Sequence, residues 1–211
     1  IFPDLERMYP IFEKCLKNGL NVLSTSEELL YGWTTSPMLA SKLDRLAKEH
    51  GVTITGSGLN NFRVTLVSIL TGACQKIDSI SGKATSNLGP YGAQLLHYYH
   101  VGETEDEFNE KMRKQRFKPS SFRNTAESLI SDLGLTIMGI EEDIEPVIDN
   151  EDVRATSLGI VPKGSVTGVV RTFRANTTQG TSFEGKQILK VFNSKEIAEG
   201  CLNEWFINCL L

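Results

Sequence analysis

The stretch N-G-L-N-V-L-S-T-S-E-E-L-L (Asn18–Leu30) decides how the chain is read. Its apolar run Leu20, Val22 and Leu23 has the length of a strand buried on both faces of a parallel sheet, and Ser24, Thr25 and Ser26 mark the exit. Upstream, Leu5, Met8, Ile11, Phe12, Cys15 and Leu16 recur at spacings of three and four, which predicts a helix over residues 3–18 stopped by Gly19. Downstream, Ser36-Pro37 offers an N-cap followed by proline at the first helical position. Leu39, Leu43, Leu46 and Ala47 then form a stripe that ends at Gly51. V-T-I-T (52–55) is the next strand, closed by Gly56-Ser57-Gly58. Helix, strand, helix, strand is the rhythm of a doubly wound α/β sheet, of which only the last part is present. Ligands in such sheets sit beyond the carboxyl ends of the strands, where both S-T-S-E-E and G-S-G fall.

Past residue 60 the pattern changes. R-V-T-L-V-S-I-L-T-G-A-C-Q reads as a buried helix by its length, K-I-D-S-I-S-G-K-A-T-S as a strand, and residues 90–132 as mostly helical, with a capping box at Thr104 to Glu107. From 136 onward strand signals dominate: T-I-M-G-I, S-V-T-G-V-V-R-T-F-R, K-Q-I-L-K-V-F and W-F-I-N, separated by Gly- and Asn-containing turns. The expected division is residues 1–58 as the end of the parallel-sheet domain and 59–211 as an α+β domain on an open, mostly antiparallel sheet. The chain starts at Ile1 and stops in what reads as a strand, so a fragment is expected.

Composition narrows the function. The 211 residues are 40% hydrophobic and 23% charged, an ordinary globular balance, and the net charge of −4 comes without any basic stripe interleaved with aromatics. Nucleic acid is not expected as a partner. No apolar run approaches the ~20 residues of a membrane span, and the first residues lack signal-peptide regions, so the expectation is a cytoplasmic protein with no membrane partner. Cys15, Cys74, Cys201 and Cys209 are scattered and expected as free thiols. His97 and His100 form an i, i+3 pair, but no third ligand stands nearby; no metal site is expected, and the pair reads as a half-exposed helix surface.

Chemistry-bearing candidates cluster at the strand exits. Glu27 and Glu28 are either solvated acids in the first turn of the next helix or a general acid/base set beside Tyr31 and Trp33 in a partly apolar cleft. Gly56-Ser57-Gly58 fails as a dinucleotide fingerprint because Asn61 stands where G-x-G-x-x-G requires glycine; it is either a plain turn or one that makes room for a ligand or a neighbouring loop. Asn60, Asn61 and Phe62 follow at an expected loop apex, where amides orient a substrate or satisfy their own backbone. Tyr91, His97, Tyr98, Tyr99 and His100 either line a pocket or pack in the core. No G-x-S-x-G, Walker, H-E-x-x-H or paired C-x-x-C pattern occurs.

Taken in order, N-G-L-N-V-L-S-T-S-E-E-L-L, S-P-M-L-A-S-K-L-D-R-L-A-K-E-H-G-V-T-I-T-G-S-G, Tyr91-Gly92 and V-G-E-T-E-D-E-F (101–108) resemble the 2,4-diaminopentanoate dehydrogenase family, relatives of dihydrodipicolinate reductase. G-S-G-L-N-N-F, S-G-K-A-T-S-N-L-G-P-Y-G and L-N-E-W-F-I are similar to its native amine dehydrogenase branch. The resemblance runs from about residue 9 to 207.

It implies an N-terminal Rossmann domain, of which 1–58 is the end, and a substrate and dimerisation domain over 59–211. It further implies NAD or NADP as cofactor, a small amine or carbonyl substrate, a homodimer, and oxidative deamination or the reverse reductive amination. The family's catalytic glutamate falls on Glu27 or Glu28. Ser24, Thr25, Gly56, Ser57 and Gly58 fall on the cofactor side, and Asn60, Asn61, Phe62 and Tyr91 on the substrate side. The family's pyrophosphate-binding turn is absent from this sequence, and Asn60 and Asn61 depart from its pattern. The rival readings are a cyclic imine reductase like dihydrodipicolinate reductase, whose K-K-H-H-type signature does not occur, and a non-catalytic ligand-binding or oligomerisation module.

Overall fold

In the computed structural model, residues 4–57, 59–115, 121–199 and 204–210 are described, with side chains described for these except 59–64, 115, 121–122 and 204–210. The chain opens with helix α1 (Leu5–Lys17), capped by the Asp4 carboxylate, which accepts from Arg7 N at 3.0 Å. Gly19 at φ 73° lets the chain reverse into strand β1 (Val22–Ser24). A 3-10 turn (Glu27–Leu30) and the short helix α2 (Gly32–Thr35) lead to α3 (Pro37–His50), which ends at Gly51 in the left-handed conformation. Strand β2 (Ile54–Gly56) pairs parallel with β1, Val22 opposite Ile54 and Ser24 opposite Gly56.

Two details differ from the sequence reading. Both strands sit one or two residues later than expected, so Ser24 and Gly56 belong to strands rather than to the turns beyond them. Within this chain, β1 is covered on one face. Leu5, Met8, Phe12, Leu16 and Leu43 pack with Val22 and Ile54 on one face, while Leu23 is 72% exposed and Leu20 is exposed too. Successive strand side chains alternate between faces, and α1 and α3 cover only one of them.

The rest of the chain is built on a five-stranded sheet. Helix α4 (Leu59–Thr71) precedes β3 (Ser79–Asn87); α5 (Ala93–Tyr98), α6 (Glu105–Gln115) and α7 (Ser121–Asp132) follow. Then come β4 (Ile137–Ile148), the small hairpin β5 (Val153–Ala155) and β6 (Gly159–Val161), β7 (Val166–Thr177), β8 (Ser182–Lys190), α8 (Ser194–Ala198) and β9 (Glu204–Leu210). The sheet order is β4-β7-β8-β3-β9, every pairing antiparallel except β3 with β8. The architecture is therefore α/β, with a parallel pair followed by an open, mostly antiparallel sheet. The expected capping box forms at α6, where Thr104 N donates to Glu107 at 2.8 Å and Glu107 N to Thr104 Oγ1 at 3.3 Å.

Helices cover one face of this sheet. Alternation along β7 sends Val169, Arg171, Phe173 and Ala175 to the covered face, and along β8 Phe183, Gly185, Gln187 and Leu189. Two apolar clusters fill the space. One joins Leu96, Val101 and Phe108 to Val169 and Leu189; the other joins Val67, Ala126 and Ile130 to Phe173 and Phe183. Between them the covered face carries two buried polar side chains, Arg171 and its cross-strand partner Gln187. No helix among the described residues is long and apolar enough to cross a membrane.

Candidate active site

The two adjacent acids have different fates. Glu28 is 8% exposed, and both its oxygens are engaged: Leu5 N donates to Oε2 at 2.6 Å, and Ser36 Oγ to Oε1 at 2.5 Å. Leu5 is the first residue of α1, so this carboxylate satisfies an N-terminal amide of that helix and lies at the positive end of its dipole. Ser36, expected to cap α3 with its side chain, makes no capping bond and serves Glu28 instead. The Glu28 backbone is held as well, its carbonyl accepting from Asn124 Nδ2 of α7 at 3.2 Å. Glu28 is a structural tie.

The same helix secures the neighbouring segment. Glu127 of α7, 3% exposed, accepts from Arg123 Nε at 2.7 Å and from the Thr34 hydroxyl of α2. Beside it, Gly56 of β2 lies against the 3-10 turn so closely that a Cβ would sit 2.4 Å from Leu30 N and 2.6 Å from Leu30 Cα. Of the two uses expected for that glycine, the close approach to a neighbouring loop is the one observed. Ser57 N donates to Ser24 O at 2.8 Å, tying the two strand ends together. Ser24 is buried and accepts from Ser26 N at 3.1 Å, which leaves exposed Thr25 and half-buried Ser57 at the carboxyl edge.

Glu27, one residue from Glu28, is half-buried and reaches a different environment. Its charge acts on Tyr99, at the end of α5, and on Arg171 of β7. Burial and then the Glu27 carboxylate hold the Tyr99 hydroxyl well above the ordinary tyrosine range, so it stays protonated. The Arg171 guanidinium carbon lies 5.0 Å from the Tyr99 ring centroid and 5.9 Å from that of Tyr98, within cation–π range. Burial opposes its charge, but Tyr99, Tyr98 and Glu27 outweigh that and keep it firmly protonated. The aromatic neighbours expected for the acid were Tyr31 and Trp33; Trp33 is half exposed and lines a separate groove of about 410 Å³ with Leu29, Leu43 and Ile54, which contains none of Glu27, Tyr99 or Arg171.

The remaining candidates are placed as follows. Tyr91 is largely exposed, acts electrostatically on Tyr99, and its carbonyl accepts from Ser157 Oγ at 2.8 Å. Asn60, Asn61 and Phe62 are not at a loop apex but in the first turn of α4, whose apolar run reaches back to Leu59; their side chains lie outside the described set, and Gly58 lies outside the described residues. His97 and His100 do not share a helix face, because α5 ends at Tyr98 and His100 takes φ 62°, its ring 3.1 Å from Glu103 and edge-on to Phe108. No cluster of His, Cys, Asp and Glu suited to a metal ion occurs among the described residues. Arg171 and Gln187 were not singled out in the sequence. The signal was there in V-V-R-T-F-R-A, where an arginine occupies the apolar phase of an alternating strand.

The fold is that of Rossmann-type dehydrogenases: the WlbA (WbpB) dehydrogenase of Thermus thermophilus, solved with NAD and alpha-ketoglutarate, superposes over 95% of this chain and 54% of its own at a TM-score of 0.51 and 13% identity. Much nearer is the amine dehydrogenase of Mycobacterium smegmatis, with a TM-score of 0.88 and 34% identity over 92% of this chain and 58% of that one. The family model of the 2,4-diaminopentanoate dehydrogenase C-terminal domain matches residues 63–198. The curated 2,4-diaminopentanoate dehydrogenase of Acetoanaerobium sticklandii is 31% identical over 157 residues, which are 72% of this chain and 44% of that protein. The chain belongs to the 2,4-diaminopentanoate dehydrogenase family, and it spans about half the length of the relatives it matches.

Proposed function

We propose that this chain is part of an NAD(P)-dependent oxidoreductase acting on CH–NH2 groups, oxidising an amine to a carbonyl or, in reverse, aminating a ketone or aldehyde with ammonia. The observation that carries this reading is the division of labour at residues 27 and 28. Both oxygens of Glu28 are consumed in holding α1 and Ser36, whereas the charge of half-buried Glu27 acts on Tyr99 and Arg171. The acid/base role then falls to Glu27. Its carboxylate would hold the amine or incoming ammonia and take a proton from its nitrogen. The neutral Tyr99 hydroxyl would offer a hydrogen bond to the substrate's oxygen or nitrogen.

Thr25 and Ser57 are short polar residues at the carboxyl ends of parallel strands, which suits the nicotinamide end of a dinucleotide. A bound nicotinamide would supply or accept the hydride at the same carbon. The sequence carries no glycine-rich turn for the pyrophosphate, and relatives about twice as long support the view that another segment of the same protein provides it. Division near residue 58 fits this reading. The second domain would bind substrate through Tyr91 and the start of α4, and pair with a second copy through the uncovered face of its sheet.

In the full-length protein that carries this chain, Glu27→Gln is expected to abolish reductive amination of a ketone with ammonia while cofactor affinity by calorimetry stays near wild type. Undiminished turnover in Glu27→Gln would refute the assignment.

A further inference from the structure

Arg171 stands out on the covered face of the sheet. It occupies an apolar register position on β7 between Val169 and Phe173, each of which belongs to a different hydrophobic cluster. The residue is 5% exposed, and its Nε and Nη1 are closed to solvent and have no hydrogen-bond partner among the described residues. A guanidinium stays charged under any working condition, so an arginine in this position costs stability that a methionine or leucine would not. Packing alone gives no reason for it. What surrounds the charge gives one: the ring faces of Tyr98 and Tyr99 lie against it, and Glu27 is within its electrostatic reach. Burial holds Tyr99 protonated, and of these three neighbours Glu27 is the one that carries a carboxylate. Because Nε and Nη1 are sealed, the group acts through these neighbours.

We infer that Arg171 is a positioning residue for amine chemistry, a fixed positive charge beneath the Tyr98–Tyr99 wall that sets the orientation of the Tyr99 ring and holds the Glu27 carboxylate toward the reacting nitrogen. It does not touch substrate. The inference rests on the proposed amine dehydrogenase activity and adds a claim of its own: the charge is kept for catalysis at the expense of folding. Gln187, its buried cross-strand partner, supplies the adjoining polar surface without a charge.

The test compares Arg171→Met, which keeps length and removes charge, with Arg171→Lys, which keeps charge, in the full-length protein. Each is assayed for kcat, KM for the ketone and for the cofactor, and thermal midpoint. Arg171→Met is expected to melt at or above the wild-type temperature while kcat falls roughly ten- to hundredfold, about what one fixed charge a few ångströms away is worth at intermediate dielectric. KM for the cofactor should be unchanged, and Arg171→Lys should recover a substantial part of kcat. Loss of kcat together with a lowered melting temperature in Arg171→Met would assign the residue a structural role and overturn the inference, as would a kcat within twofold of wild type. A wild-type protein without amine activity overturns the functional reading first and this inference with it. An active wild type with an equally active Arg171→Met overturns this inference alone.

Discussion

Replacing Glu28 with glutamine separates the two acids most sharply. The substitution keeps the size of the side chain but puts an amide NH2 where one carboxylate oxygen accepts a hydrogen bond. Leu5 N can only donate, so the glutamine oxygen must turn to it and the amide NH2 must donate to the Ser36 hydroxyl, which rotates to accept; both bonds survive but lose their charge assistance. A hydrogen bond to a charged group contributes about 1.5–3 kcal/mol and a neutral one about 0.5–1.5, so each of the two bonds weakens by roughly 1 kcal/mol. Removing the negative charge from the α1 N-terminus forfeits a further ~0.3–1 kcal/mol. Together these make a loss of about 2–3 kcal/mol, which for a protein about twice the length of this chain lowers the melting temperature by roughly 3–5 °C. Differential scanning calorimetry on the full-length protein reads the shift directly. Glu27→Gln, at a half-buried position one residue away, is expected to move the midpoint much less while abolishing turnover. A Glu28→Gln protein that melts with wild type, or a Glu27→Gln protein that loses more stability than Glu28→Gln, would show that the roles assigned to the two acids are wrong.

Two further outcomes are expected. Asp149 accepts from Thr167 at 2.7 Å, Asn193 at 3.1 Å and Lys190 at 3.0 Å; burial works against its charge, but these bonds outweigh it and hold its pKa below the ordinary aspartate value. The stability it contributes is complete above the unfolded-state pKa of about 4 and is lost as pH falls through the lower folded-state value, so the urea midpoint of Asp149→Asn should lie below wild type at pH 7 and close on it progressively as pH falls below about 4. Gly56→Ala would press a methyl against the Leu29–Leu30 backbone, which cannot swing aside as a side chain can. Calorimetry should show a destabilisation of a few kcal/mol, on the order of other overpacked cores, and kcat should fall with it because the displaced turn carries Glu27.

How much of this was legible beforehand differs from element to element. Helices α1 and α3 and the helical stretch from α5 to α7 were readable because their apolar spacing, caps and glycine stops are local. The burial of β1 is not legible in the sequence, because a short apolar run looks the same whether one face or both are covered, and the neighbours that decide it come from elsewhere in the protein. Asn60 and Asn61 were placed in a loop for a similar reason: amides after a glycine turn suit an Asx turn as well as a helical first turn.

By itself, the sequence determined the order of helices and strands, the α/β class, the family to which the chain belongs, and that S-T-S-E-E lies on the edge where ligands of such sheets bind. These depend on side-chain periodicity, backbone-specific residues and motif order, all carried along the chain. Only the tertiary structure shows that Glu28 is bonded to Leu5, Ser36 and Asn124, which lie 23 residues before, 8 after and 96 after it. Only the structure brought Arg171 beneath Tyr98 and Tyr99. Adjacent residues in a chain share an address, but a carboxylate's task is set by the donors and charges that folding places around it.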